Sequence, residues 1–162
     1  MNKLSVALRG AALALTVAFM AACEDNSFQV IEELEFAASL GIDLSAMTML
    51  SSGVYTEDVT VGMGDPVLSN SVVFVTYAGF LANGTSFGTG SFDFTMGQRQ
   101  VIVGFEQGIQ GMAVGGQRRI VIPPDLGYAD QEQGSIPAGS VLIFDVTVDA
   151  VEVDDTGGTP PN

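Results

Sequence analysis

Val141-Leu142-Ile143-Phe144-Asp145-Val146-Thr147-Val148-Asp149-Ala150 is the stretch that decides the class of fold. Leu142, Phe144, Val146, Val148 and Ala150 alternate with Val141, Ile143, Asp145, Thr147 and Asp149. A period of two marks a strand whose successive side chains face opposite sides of a sheet. One set is wholly apolar and the other partly charged, which predicts an antiparallel sheet with one face buried. Upstream, Gln117–Ile122 reads as a second strand, stopped by Pro123-Pro124, which lack the N–H a ladder needs. Val72–Leu81 predicts a long strand, followed by Asn83-Gly84, a strong hairpin signal, and by a further strand at Phe92–Met96. Asn83-Gly84-Thr85 also fits a glycosylation sequon; the turn is the preferred reading. Val59–Val61 predicts a short strand before the turn cluster Gly62-Met63-Gly64-Asp65-Pro66. Phe105–Met112 is the helix expected among these strands, although Gly108 and Gly111 fall inside it. The expectation is one α+β domain over residues 53–152.

Residues 1–22 read as an export signal. Lys3 and Arg9 give a positive start, and Ala11–Ala22 is an uncharged run ending in small residues. It is shorter than the roughly 20 apolar residues that span a bilayer comfortably. The run ends in Met20-Ala21-Ala22-Cys23, which resembles a bacterial lipobox, with Cys23 as the lipidated new N-terminus. An ordinary cleavable signal with a coincidental Cys is the alternative. The lipobox reading predicts export and a lipid anchor on a bacterial membrane, facing the periplasm or the cell exterior. Residues 23–52 would then be a tether followed by an apolar extension. Within it Val30, Ile31 and Leu34 have helical spacing, with Glu32, Glu33 and Glu35 between them, so a short amphipathic helix interrupted by Gly41 is predicted. Its greasiness implies packing, either on its own domain or on a partner, including a second copy through residues 28–50. Ser51-Ser52-Gly53 is expected to break the chain, and the tail 153–162, acidic and rich in Gly and Pro, to be disordered.

Composition excludes several kinds of chemistry. The 162-residue chain has 19 acidic residues against five basic ones, a net charge of −14. Without residues 1–22, only Arg99, Arg118 and Arg119 remain against all of that negative charge, which repels phosphate backbones and argues against nucleic acid as a partner. There is no His, so a Ser-His-Asp triad and a His-ligated metal are impossible. A single Cys rules out an intrachain disulfide and a Cys-rich zinc site. No cofactor or metal is expected.

Several motifs together resemble a known family. Val73-Phe74-Val75-Thr76-Tyr77-Ala78-Gly79-Phe80-Leu81 is similar to the Val-x-Val-x-Tyr-x-Gly-x-Leu strand of FKBP-type peptidyl-prolyl cis-trans isomerases, and Asn83-Gly84-Thr85-Ser86-Phe87 to the hairpin that follows it. Val101-Ile102-Val103-Gly104-Phe105 resembles the entry into the family's helix, and Met112-Ala113-Val114-Gly115-Gly116 the run after it. Pro123-Pro124-Asp125-Leu126-Gly127-Tyr128, Ile136-Pro137 and Leu142–Val146 match the closing segments in order.

The resemblance implies a strongly twisted antiparallel sheet half-wrapped around one short helix, with an apolar pocket between them. Carried over by position, Tyr77, Phe87, Phe105, Tyr128 and Phe144 would do the catalytic work, with Phe105 as floor. Phe92, Val101, Ile102 and Ile136 would complete the substrate-binding wall. It also implies that the Ile102 N–H and the Tyr128 hydroxyl hold substrate carbonyls. The expected function is cis-trans isomerisation of Xaa-Pro bonds in unfolded or exported polypeptides, in the form of a bacterial lipoprotein. Three positions depart from the pattern: Gly88 stands where the family usually has Asp, Gly88-Thr89-Gly90-Ser91 replaces a longer loop, and Phe105 replaces Trp. These departures keep open a second reading, an FKBP-like chaperone or binding module with little catalysis.

Overall fold

In a computed structural model, residues 29–153 are described, and the statements below concern them alone. The elements in chain order are β1 (Thr48–Met49), β2 (Tyr55–Thr60), β3 (Ser71–Leu81), β4 (Ser86–Thr95), α1 (Val103–Ile109), β5 (Gln117–Ile122) and β6 (Leu142–Val153), with single 3-10 turns at Ile31–Glu33, Ala38–Leu40 and Pro124–Leu126. The strands form one six-stranded sheet in the order β1-β2-β5-β6-β3-β4, and every neighbouring pair is antiparallel. This is the expected α+β architecture.

The centre of the sheet is the long pairing of β3 with β6, from Ser71↔Val153 to Leu81↔Leu142. Val73, Val75, Leu142, Phe144, Val146 and Val148 point from these strands to one side and are buried there with Phe105 and Ile109 of α1. A helix this short cannot hold itself together in water and depends on packing. Its glycines supply that packing. A Cβ on Gly104 would collide with the Ile122 side chain, and one on Gly108 with Ile120, so α1 lies directly on β5. Those glycines, which count against a helix in isolation, are what this helix needs in place.

Several expectations are corrected. The helix is Val103–Ile109, beginning earlier and ending earlier than the predicted Phe105–Met112. The short strand is Tyr55–Thr60, upstream of the predicted Val59–Val61. Ser51-Ser52-Gly53 does not break the sheet but turns β1 into β2, with Leu50 N–H on the Val54 carbonyl at 2.8 Å. Gly88–Ser91, expected as a link, is continuous strand within β4, paired to β3 through Gly88↔Gly79, Thr89↔Ala78, Gly90↔Tyr77 and Ser91↔Thr76. β6 runs on through Val153; the remainder of the acidic tail, like residues 1–28 with Cys23, lies outside the described residues.

The extension also differs from its expectation. Instead of an amphipathic helix it forms the two separate 3-10 turns. Ile31, Leu40 and Met47 are buried against Tyr55, Ala82, Val121, Val141 and Ile143 on the side of the sheet opposite α1. Both faces of β6 are therefore covered near Leu142, and only its Asp145–Asp149 end matches the predicted half-buried strand. Polar bonds secure the extension along its length. Gln29 N–H donates to the Gly139 carbonyl (3.0 Å), Val141 N–H to Gln29 Oε1 (2.8 Å), Ala37 N–H to the Ala82 carbonyl (2.8 Å) and Arg119 Nη1 to the Leu40 carbonyl (2.6 Å). Arg119 also holds Asp145 through Nε (2.6 Å) and Nη2 (3.0 Å), and this bond raises the guanidinium pKa further.

Candidate active site

Between the sheet and the start of α1 lies a cavity of about 360 Å³. Its walls include all nine residues carried over from the resemblance, each delivered by a different structural reason. Tyr77 of β3 and Phe144 of β6 lie on the pocket face of the two central strands. Their ring centroids are 6.0 Å apart. Phe92 comes from β4 and meets the Tyr77 ring edge-on at 5.5 Å. Phe87 sits at an irregularity in the β3–β4 ladder, where Gly79 pairs with Gly88 and Phe80 with Ser86, so one β4 residue is extra. The bulge turns the Phe87 ring over Gly79, where a Cβ would overlap it, and brings it to 5.4 Å from Phe144.

Phe105 is the floor. It enters from the first turn of α1, is 2% exposed, and lies 5.8 Å from Phe92, 6.0 Å from Phe94 and 5.1 Å from Phe144. These edge-on and tilted contacts fix the ring planes, since aromatic quadrupoles favour such geometry over a face-to-face sandwich. Val101 and Ile102 lead into the helix. The Ile102 carbonyl accepts Phe105 N–H (3.1 Å) and Glu106 N–H (3.2 Å), whereas its own N–H has no acceptor among the described residues. Tyr128 follows the turn Pro124–Leu126, and its loop is braced by Ala129 N–H on the Pro124 carbonyl at 2.8 Å. Ile136 closes a tight bend in which Gln133 and Ile136 exchange hydrogen bonds of 2.9 and 3.0 Å.

That bend sets a rim the sequence reading missed: Gln133, Gly134 and Ser135 line the pocket, as does Gln100 on the opposite side. Gln100 Oε1 accepts the Thr95 N–H at 2.7 Å and so is tied to the end of β4. The spacing of these polar loop residues carries no periodic signal, and only the loop's closure places them.

Tyr77 shows what Gly88 changes. A Cβ at Gly88 would stand 3.6 Å from Tyr77 Oη, and one at Gly90 would stand 3.5 Å from the same ring. Neither the Tyr77 nor the Tyr128 hydroxyl has a hydrogen-bond partner among the described residues. An acidic side chain at position 88 would reach the Tyr77 hydroxyl, and glycine leaves that donor open to the pocket.

The cavity thus offers an aromatic cup, a free main-chain N–H and two free phenols, with no nucleophile–base pair. Such a site is suited to binding and reshaping a neutral group rather than to covalent chemistry. Relatives agree. The chain is 44% identical over 101 residues to "FK506-binding protein 3" of Candida albicans, covering 60% of this chain and 24% of that protein. The described fold superposes on the crystal structure of AtFKBP13 with a TM-score of 0.61 at 31% identity, covering 65% of this chain and 98% of that one. It superposes on FkpA from Escherichia coli with a TM-score of 0.61 at 27% identity, covering 72% of this chain and 55% of that one. The chain spans about a quarter of the length of the curated relatives it matches. Residues 65–149, more than half of the sequence, match the family described as FKBP-type peptidyl-prolyl cis-trans isomerase, and the chain belongs to that family.

Proposed function

We propose that the protein catalyses cis-trans exchange of Xaa-Pro bonds by binding the twisted amide in the pocket floored by Phe105. The barrier to be lowered is about 18–20 kcal/mol, although trans is preferred over cis by only about 0.5–1 kcal/mol before proline. The barrier is lost resonance: the twisted amide has less charge separation than the planar one and loses less hydration on entering an apolar cup. An aromatic enclosure of the proline ring by Phe92, Phe105 and Phe144 therefore stabilises the transition state more than the ground state, which is what accelerates a reaction. The Ile102 N–H and the Tyr128 hydroxyl would receive the substrate carbonyls. The single observation that carries the reading is the convergence of that unpaired N–H and phenol on an aromatic cup containing no competing chemistry. Tyr128→Phe and Phe105→Leu should each lower turnover in a chain that stays folded; unchanged rates in both would remove the pocket from the mechanism.

Gly88 favours a second reading, in which the fold binds polypeptide with weak catalysis. That reading predicts suppression of aggregation of a proline-free client, surviving pocket substitutions.

The proposed setting is an exported protein acting on exported clients, lipidated at Cys23 and held to a bacterial membrane. Met20-Ala21-Ala22-Cys23 supports it. Mass analysis of the membrane-fraction protein should find an acylated Cys23, and Cys23→Ser should move the protein to the soluble fraction. A dimer through residues 28–50 would rest on Val30 and Met49, the large apolar side chains exposed there among the described residues, because Ile31, Leu40 and Met47 are buried within the chain.

A further inference from the structure

β4 is the terminal strand of the sheet and pairs only with β3. Among the described residues, no backbone hydrogen bond from residues 86–94 reaches anything beyond that partner. Its other edge is an open row of N–H and C=O groups. Natural sheets usually blunt such an edge with Lys, Pro, a bulge or a covering segment. Here Ser86-Phe87-Gly88-Thr89-Gly90-Ser91-Phe92 is uncharged and proline-free in a chain carrying 19 acidic residues, and its bulge at Phe87 leaves Gly88–Phe92 in regular register with β3.

The same edge borders the pocket. Phe87 and Phe92 are both pocket walls, and the positions between them on the pocket face are Gly88 and Gly90. Apart from the Tyr77 ring, nothing within 4 Å occupies the space a Cβ would fill at either glycine. Between Phe87 and Phe92 the Tyr77 side chain lies over the two glycines, so the strand that carries this wall of the cavity is also the strand with the free edge.

We propose that β4 is a docking track for client polypeptide. An extended segment flanking the proline adds as a further strand to residues 88–92 while the proline enters the aromatic cup beside Phe87 and Phe92. Strand addition draws its affinity from main-chain hydrogen bonds, so it accepts clients of varied sequence. The inference rests on the isomerase reading for the identity of the occupant and adds how that occupant is held.

The test uses the full chain and leaves the protein unaltered. A short Xaa-Pro peptide is compared with the same peptide extended, on either side of proline, by about five residues, enough to span residues 88–92 at about 3.3 Å per residue. One of the two extensions should tighten binding at least tenfold and slow hydrogen exchange of amides within residues 88–92. Methylating single peptide nitrogens in that extension should cost about fivefold at every second position and nothing between, as expected for one net hydrogen bond lost each time. Equal affinity of short and extended peptides overturns the track, even if both are isomerised. If neither is isomerised, the catalytic reading fails, and the alternation of the methylation effect in binding still decides the track. Protection of the same amides that rises with protein concentration in the absence of peptide would assign the edge to a second copy of the chain and overturn the proposal.

Discussion

The two faces of the sheet are built from the same strands and finished in opposite ways. On one, α1 covers β5 and β6 but stops short, and the gap in front of Phe105 is left to Tyr77, Phe87, Phe92 and Phe144 as a cavity of about 360 Å³. On the other, Ile31, Leu40 and Met47 close over Tyr55, Val121, Val141 and Ile143. The closed face buries aliphatic side chains and seals its ends with main-chain bonds at Gly139 and Ala82. The open face keeps rigid rings in place through ring-to-ring contacts and leaves its N–H and phenols unpaired. One face is thus a source of stability and the other a place where stability is withheld for binding. The difference is testable because substitutions on the two faces should separate into different observables.

The largest expected effect is at Phe105. Phe105→Ala empties the floor beneath Phe92, Phe94 and Phe144 and should cost about 3–5 kcal/mol by chemical denaturation, with turnover lost. Phe105→Leu keeps the volume largely filled, so it should lose turnover at a much smaller cost in stability. On the closed face, Ile31→Ala or Leu40→Ala should each cost about 2–4 kcal/mol while leaving turnover of a short peptide unchanged in the folded protein. Loss of activity at low denaturant in those variants would mean that the extension shapes the pocket.

A smaller effect is expected at Gly88. The space beside Tyr77 Oη admits a Cβ at ordinary contact distance. Gly88→Asp should therefore give that phenol a carboxylate partner and raise turnover by roughly fivefold, the equivalent of about 1 kcal/mol in the barrier. A fall in turnover would show that the open phenol is the useful form.

The smallest effect concerns the closed face. Tyr55 Oη donates to Glu32 Oε1 at 2.7 Å, and this bond, more than a backbone hydrogen bond at Glu32, holds the Glu32 carboxyl below its usual range. A lowered folded-state pKa stabilises the fold above the ordinary glutamate range and loses that contribution as pH falls through the folded value. The same bond raises the Tyr55 phenol, so its contribution is also lost as pH rises through that raised value. Tyr55→Phe should flatten the acid limb of a stability–pH profile relative to the parent; an unchanged limb would mean that Glu32 is not held there in solution.

Much of the fold was legible from residue spacing, and the pocket residues from the family resemblance. β5 occupies the predicted Gln117–Ile122, β3 begins one residue before the predicted Val72, and the pocket gathers every residue that the motifs pointed to. Period-two patterns and punctuating turns are local signals, and so they survive without tertiary knowledge. What was not legible depends on neighbours. Gly88–Ser91 has the composition of a link and becomes strand because β3 supplies its ladder and the Tyr77 ring lies over its glycines. Gly104 and Gly108 argue against a helix until Ile122 and Ile120 are seen to occupy their missing side chains. Val30, Ile31 and Leu34 have helical spacing, yet only Ile31 is buried, because the chain must turn again to reach Ala82 and docks as short 3-10 turns instead. The rim residues Gln100, Gln133, Gly134 and Ser135 acquire their place only when two loops close.

The most direct test is NMR exchange spectroscopy on a short Xaa-Pro peptide with the full chain, run beside the Phe105→Leu and Ile31→Ala variants. Accelerated exchange that is lost in Phe105→Leu and retained by folded Ile31→Ala is the predicted result. No acceleration by the folded parent protein, or acceleration indifferent to Phe105, would contradict an isomerase working through this pocket.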